Sequence, residues 1–440
     1  MLAKAFLREL KKQGADDVVI STEHSLHTQL KYVNNDIVAP KIWEEEEYGV
    51  FIVVDKRILS TRIQHLSMAS LPRRAKDLMV FAKRMSPKND HQGIASGPFT
   101  YKTISQTYDK KILSLDEQGP RLVKEAIGQA ISSGAVRSSG VFEYGQTNTS
   151  LLTSENVEAS SKGTFLYFSM RALADEHASS HQVRAARVLK GFSMIEAAKE
   201  AGRTAKASLN PTKGKSGSYD VVFEPLAAAN LLDHVGNAAS LFSVETGMSF
   251  LKGKQNAKVA STPFTLYDDG RLPNGHNSVA FDEEGRPTGT TPLIVDGIMK
   301  TYLSNTSLAK KHHQRPTGNA GLVSPEPWNL VVKKGKYNKE QLLERINNGL
   351  LITNLWYTRF QNYLTGQFST IPRDAIFVVK DGELHHPIKG IRVSDALPRM
   401  LNAIMALTQE RHQVISWETE HPVLTPEIAI TDVCISTSTA

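Results

Sequence analysis

Metal chemistry, if this chain does any, would be sought in residues 219–251, YDVVFEPLAAANLLDHVGNAASLFSVETGMSFL. Residues 220–223 read as a short buried strand. Pro225 suits the first turn of a helix, and the apolar spacing predicts that helix through about residue 242. A helix that starts directly behind a core strand holds its side chains rigidly. A zinc peptidase puts HExxH or a close variant there, with two His binding the ion and the Glu activating water. This helix offers Asp233, His234 and Asn237 instead. Asp233 and Asn237 stand four apart and share a face, but Asn is a poor zinc ligand, and three protein ligands are the usual minimum for catalytic zinc. None of the fourteen His residues is followed by Glu, so no HE-initiated motif can be built. On structural grounds alone the helix packs as core, with Asp233 and His234 making polar contacts at its end.

Other near-motifs fail on single residues. Gly214-Lys215-Ser216 resembles the close of a phosphate-binding loop, but Leu209 stands where its first Gly is required. The run from Gly247 to Leu251 lacks the closing Gly of a nucleophile elbow. His177 and His181 have helical spacing but lie in a Ser-rich patch that reads as an exposed hairpin tip. The pairs His312-His313 and His385-His386 are adjacent, so their rings diverge. The single cysteine, Cys434, excludes an internal disulfide framework and a Cys-rich zinc site.

The elements that must position these residues belong to a chain of 440 residues, too long for one ordinary core, so two domains are expected. Its 40% hydrophobic and 22% charged content is that of a globular protein, without any run of eighteen apolar residues. The opening MLAKAFLREL lacks the apolar core and cleavage site of a signal peptide and reads as an amphipathic helix, so a cytoplasmic protein is expected. The net charge of +7 is spread along the chain without a dense basic block, so nucleic acid is not expected to be the main partner.

Alternating apolar residues predict antiparallel strands at 17–21, 26–32, 48–54 and 58–63, with the acidic run Glu44–Glu47 as a solvated edge or turn. Helices are predicted near 71–82, 122–131 and 194–208, a loop over 86–107, and further strands within 141–189. NPTKGKSGS, residues 210–218, reads as a flexible connection. Beyond it, Asp296-Gly297 and Asp381-Gly382 between apolar runs signal hairpins, with helices at 339–346 and 395–407. Strands grouped apart from helices give an α+β fold. Its expected parts are an N-terminal α/β-sandwich-like domain over 1–210 and a mostly antiparallel β domain with inserted helices over 211–440.

A series of short motifs in fixed order carries more. It comprises Tyr32-Val33-Asn34-Asn35, Trp43-Glu44-Glu45 through Gly49-Val50-Phe51, Tyr267-Asp268-Asp269-Gly270, and Asp282-Glu283-Glu284-Gly285-Arg286-Pro287-Thr288. The hairpin around Asp296-Gly297 follows, then Arg315-Pro316-Thr317-Gly318-Asn319, Thr365-Gly366-Gln367-Phe368-Ser369, and Asp381-Gly382-Glu383 with Pro387-Ile388. Each is a turn-like fragment, but together they resemble the TldD/PmbA family, in its TldE (PmbA) branch, through most of the chain.

That resemblance implies a cytoplasmic metalloprotease system in which a TldD-type subunit carries zinc on a helical HExxxH motif with a further cysteine ligand. The TldE-type subunit lacks the metal site and pairs with TldD as a heterodimer, so that unfolded peptides reach the zinc. An older family name refers to modulation of DNA gyrase. Asp233, His234 and Asn237 fall where the zinc motif would stand, so this chain is expected to hold neither metal nor catalytic residues, the zinc belonging to its partner. The loop Arg315, Pro316, Thr317, Gly318 and Asn319 is a turn by composition, and the resemblance puts it near a peptide cleft or partner contact. Two alternatives stay open. One is an active metallopeptidase with a non-standard site such as Asp233, His234 and a residue distant in sequence; the other is a basic regulator associated with nucleic acid.

Overall fold

The computed structural model describes residues 2–437; Met1 and residues 438–440 lie outside them. Strands β1 (Asp17–Val33), β2 (Asp36–Val54), β3 (Arg57–Gln64), β4 (Arg137–Thr153), β5 (Glu158–Leu173) and β6 (Ser179–Ala186) form one antiparallel sheet in the order β3-β2-β1-β4-β5-β6. The period-2 alternation read in the sequence assigns its faces. Val18, Ile20, Val50 and Ile52 pack beneath helices α1 (Leu2–Lys12) and α2 (Leu71–Ala82). Tyr32, Phe142, Leu166 and Phe168 form the core shared with α3 (Gln118–Ser132) and α4 (Met194–Ala207). All helices of this half therefore lie on one side. The opposite face is apolar at one end, where Val19, Phe51, Val53 and Leu151 pack with Phe281, and polar toward the middle, where it presents Ser21, Glu23, Thr147, Thr149 and Ser161.

The acidic run Glu44–Glu47 lies within β2, paired with Glu23–Leu26 of β1, and because β3 joins only at Glu47, residues 44–46 form an exposed sheet edge, the solvated edge expected rather than a turn. The reversal falls earlier, at Asn34 and Asn35, both at positive φ, as a two-residue hairpin requires. His181 is not at a hairpin tip. The turn closes by Ala178, whose carbonyl accepts the Ala174 N–H, and His181 sits inside β6 with Nε2 2.9 Å from Ser169 Oγ. Burial pulls its pKa down to about 4.

The second half begins where Thr212–Lys213 joins the edge of an eight-stranded sheet. In that sheet Gly217–Phe223, Ile428–Thr437, Ile391–Ala396, Gln367–Lys380 and Gly349–Asn362 pair in succession, and the last pairs back with Gly217–Phe223, closing a ring of five strands. A six-stranded sheet lies beside it. Most pairings are antiparallel; Gly349–Asn362 with Gly217–Phe223 is parallel. Both Asp-Gly pairs form hairpin turns with both residues at positive φ. The helix expected over 395–407 is shorter, Leu397–Asn402. Residues Ile404–Leu407 leave it to pair with Ile428–Thr437, a case of sheet pairing overriding an apolar run with no clear period.

The halves are bolted together by buried polar contacts. Asp374, at a left-handed kink of strand Gln367–Lys380, accepts from Arg171 Nη2 of β5 (3.0 Å), Ser179 Oγ of β6 (2.7 Å) and Asn354 Nδ2 (2.8 Å). Its side chain is fully buried. Replacing Asp374 with Ala leaves Arg171 unpaired in a largely dry junction, so we expect a loss of about 3 kcal/mol in urea unfolding. A loss below about 1 kcal/mol would show that the junction does not depend on this carboxylate.

Candidate functional site

Helix α5 (Pro225–Ala238) follows strand Gly217–Phe223, which is flanked by Gly349–Asn362 on one side and Ile428–Thr437 on the other. Glu224 precedes it in extended conformation, its carboxylate bonded to Lys339, which also reaches Glu427 at 3.2 Å. The helix ends earlier than the apolar run predicts. The Leu303 N–H donates to the Ala239 carbonyl and its carbonyl accepts the Leu241 N–H, Ser240 Oγ donates to the Pro325 carbonyl, and a separate short helix occupies Leu241–Glu245. Gly236 permits close packing, since a Cβ there would lie 2.5 Å from Leu330 Cδ1.

Eleven of the fourteen α5 residues are buried, Asp233 among them at 2% exposure. Its carboxylate grips a segment almost two hundred residues away. Oδ2 accepts the Glu420 N–H at 3.0 Å, while Oδ1 accepts the His421 N–H at 3.2 Å and lies 2.9 Å from His421 Nδ1. One turn on, Asn237 Nδ2 donates to Glu420 Oε2 at 3.3 Å; one turn back, Asn230 Nδ2 donates to the Glu418 carbonyl at 3.2 Å. Positions 230, 233 and 237 share a helix face, and that polar stripe clasps residues 418–421. His234 points elsewhere, edge-on to Phe360 at 5.0 Å, its pKa lowered by burial.

Among the described residues, Asp233, Glu420 and His421 form a group whose potential ligand atoms lie within 4.8 Å of one another. Sequence reading reached Asp233 and Asn237 but not Glu420 or His421, because nothing in residues 415–425 has metal-ligand spacing. For His421, burial disfavours the charged ring, but the hydrogen bond to Asp233 and the nearby carboxylates of Asp233 and Glu326 outweigh it and raise the pKa to about 9. Its other nitrogen faces Glu326 Oε2 at 3.8 Å. At neutral pH an imidazolium therefore occupies the centre of the group.

Residues 415–417, directly before the clasped segment, form part of one wall of a cleft of about 860 Å³ between the polar face of the first sheet and the second half. Ser21, Glu23, Glu47, Glu143, Thr149 and Ser161 line the sheet side; Phe281, Glu283, Trp328 and Trp417 line the other. Trp417 is 69% exposed and lies against Trp356, ring centroids 5.8 Å apart. Arg373 stacks over Trp356 at 4.1 Å. Burial raises the Glu23 pKa, as does neighbouring Glu47, which pairs with Arg62 at 3.1 Å.

Residues 315–319 stand behind this wall. Arg315 is exposed, Thr317 exchanges hydrogen bonds with Ser304, and buried Asn319 donates to Asp268 at 2.6 Å. Gly318 is at positive φ, and a Cβ on it would meet the Pro287 carbonyl at 2.6 Å, so its own chain accounts for the glycine. The loop reaches the cleft through Trp328, whose Nε1 donates to the Gly318 carbonyl at 2.9 Å. Cys434 is exposed on strand Ile428–Thr437 and is not in the Asp233 group.

A family model described as the PmbA/TldA metallopeptidase C-terminal domain matches residues 216–437, and one described as the PmbA/TldA metallopeptidase central domain matches residues 104–209. A metalloprotease of Methanothermobacter thermautotrophicus is 26% identical over 290 residues, 62% of either chain. A metalloprotease PmbA homolog of Haemophilus influenzae is 29% identical over 203 residues, 46% of this chain and 44% of that one. The aligned stretches thus span less than two thirds of these relatives. The fold extends further: the structure of TldE from Thermococcus kodakarensis superposes with a TM-score of 0.86 at 20% identity, covering 99% of this chain and 100% of that one.

The raised pKa of His421 makes a signed prediction. A group whose pKa rises from about 6.5 unfolded to about 9 folded contributes stability that is complete below pH 6.5 and lost as pH climbs through 9. The size is on the order of 3 kcal/mol. Urea unfolding between pH 6 and pH 10 should show this decline, and His421→Gln should flatten it. An imidazole proton resonance of His421 titrating near 6.5 would contradict the assignment.

Proposed function

This chain belongs to the PmbA/TldA metallopeptidase family, and on that premise we propose that it is a TldE-type subunit without a zinc site of its own. It pairs with a TldD-type subunit as a heterodimer and shapes the path by which unfolded peptides reach the partner's zinc, in the cytoplasm. The observation that carries this reading is the use made of Asp233. At the helix position where a family peptidase would hold metal, both carboxylate oxygens accept protein N–H groups, and the nearest imidazole lies 2.9 Å from Oδ1, its pKa raised by that carboxylate. An ion entering here would have to displace the His421 proton and the backbone N–H partners of Asp233, and Asn237 is a poor substitute for a second His. That donor set supports a chain without a catalytic zinc of its own. The cleft supports the second part: a polar sheet face opposite aromatic residues suits an extended chain recognised mainly through its backbone.

A second reading is favoured by one observation, the proximity of Asp233, Glu420 and His421. If His421 gave up its proton, these residues would offer three donors, and the chain would be a metallopeptidase with an unusual site. The sequence-based candidate His234 has no part in it, since its ring packs on Phe360.

Metal analysis and reconstitution separate the two. The purified chain should carry far less than one zinc per molecule after dialysis at pH 7.5 and should not cleave casein. Mixed with a zinc-bearing family subunit it should form a one-to-one complex by light scattering, with peptidase activity lost on chelation. Stoichiometric zinc that disappears in an Asp233→Ala, His421→Ala double variant, together with chelator-sensitive cleavage by this chain alone, would establish the second reading instead.

A further inference from the structure

The floor of the cleft holds a cation without an anion. Arg187 directly follows β6 and lies largely buried between the two halves. Its Nε donates to the Thr164 carbonyl of β5, and Nη1 donates at 3.0 Å to the carbonyls of both His276 and Ser278 in the second half. These acceptors are neutral. Among the described residues no carboxylate bonds to the guanidinium, and burial alone lowers its pKa, to about 10. Nη2 donates to none of the described residues. It lies over Gly163, where a Cβ would come within 1.7 Å of it, so the missing side chain is what leaves the group room. Both Arg187 and Gly163 line the cleft.

A buried guanidinium without a counter-ion is costly, and its planar fork matches a carboxylate. We propose, building on the reading of the cleft as a peptide site, that Arg187 Nη2 binds a carboxylate of an extended peptide lying across the first sheet. The far end of the cleft has the opposite character. Glu47 of β2 is paired with Glu23 of β1, Glu23 with Thr149 of β4, and Thr149 with Ser161 of β5, two residues before Gly163. Three strand spacings, roughly 14 Å, therefore separate Glu47 from the strand beneath Arg187, the reach of about four extended residues. Glu23 and Glu47 repel a second anion, with Arg62 offsetting one charge, so the carboxylate end of the ligand is directed to Arg187.

The test varies the ligand before the protein. An unstructured ten-residue peptide of Gly, Ser and Val is titrated calorimetrically into the full chain at low salt in four forms: free acid, C-terminal amide, amide with one internal Glu, and amide with Gln in its place. At least tenfold tighter binding of the free acid than the amide identifies the chain terminus as the bound group. The same preference of Glu over Gln identifies a side chain. Gly163→Ala, which pushes the guanidinium aside without removing its charge, should abolish the preference, and a circular-dichroism melt confirms folding. Equal affinity for all four forms, or a preference that survives in both Gly163→Ala and Arg187→Lys, overturns the carboxylate site alone. If none of the four binds, both that site and the peptide reading of the cleft fall.

Discussion

The buried carboxylate of Asp233 is the constraint on which the rest of the site depends. A carboxylate at 2% exposure in an apolar helix is expensive unless its lone pairs are filled. Here they are filled by two consecutive backbone N–H groups and an imidazolium, all from residues 420 and 421. The bonds run both ways in effect: they keep the charge inside the helix, and they fix the one segment that turns from strand Val423–Thr425 back to the cleft. With Asn230 and Asn237 above and below, the stripe holds residues 418–421 by five hydrogen bonds. Trp417 can then stand 69% exposed at the cleft without the backbone beneath it being loose.

The first sheet supplies the opposite wall by its alternation. Side chains at even positions of β1 and β2, such as Val18, Ile20, Val50 and Ile52, are consumed by the helices, which leaves the odd positions to face the second half. At one end those odd positions are apolar: Val19, Phe51, Val53 and Leu151 pack with Phe281 and close the gap. Toward the middle they become Ser21, Glu23, Thr147 and Thr149, and the walls separate. The cleft is thus the place where the sheet stops offering apolar surface. Its depth is maintained by polar bolts at the junction, Asp374 with Arg171 and Ser179, and Arg187 with carbonyls from both halves.

Much of this frame was legible in the sequence because the signals are local. Two-residue alternation gave the strands of the first sheet, the Asp-Gly pairs gave both hairpins at 296–297 and 381–382, and the spacing over 339–346 gave a helix with those bounds. Local signals failed where a distant partner decided the outcome. Ile404–Leu407 has the composition of a helix end but lies against Ile428–Thr437. His181, read as part of an exposed turn, is held by Ser169 on the neighbouring strand. The candidate site shows the same division. Asp233 and Asn237 were accessible as a helical pair, whereas Glu420 and His421 carry no spacing signal and are joined to Asp233 by the fold alone.

That division bears on why the helix keeps its polar residues at all. Had position 233 lost only a metal, with nothing taking its place, an apolar residue of similar volume would pack there at lower cost. A bare Asn237 or Asn230 would be equally unrewarded inside a helix whose other faces are nearly all Ala, Leu and Val. The three instead share one ligand, the backbone and side chains of 418–421; removing Asp233 or Asn230 leaves buried or half-buried partners unsatisfied, whereas Asn237 adds a bond to the exposed Glu420 carboxylate. A proton on His421 provides the positive charge that makes Asp233 tolerable, which is the electrostatic service a bound cation would otherwise give. The charge balance of the helix is therefore met from within the chain, and this is the physical basis of the proposal that hydrolysis belongs to a partner subunit.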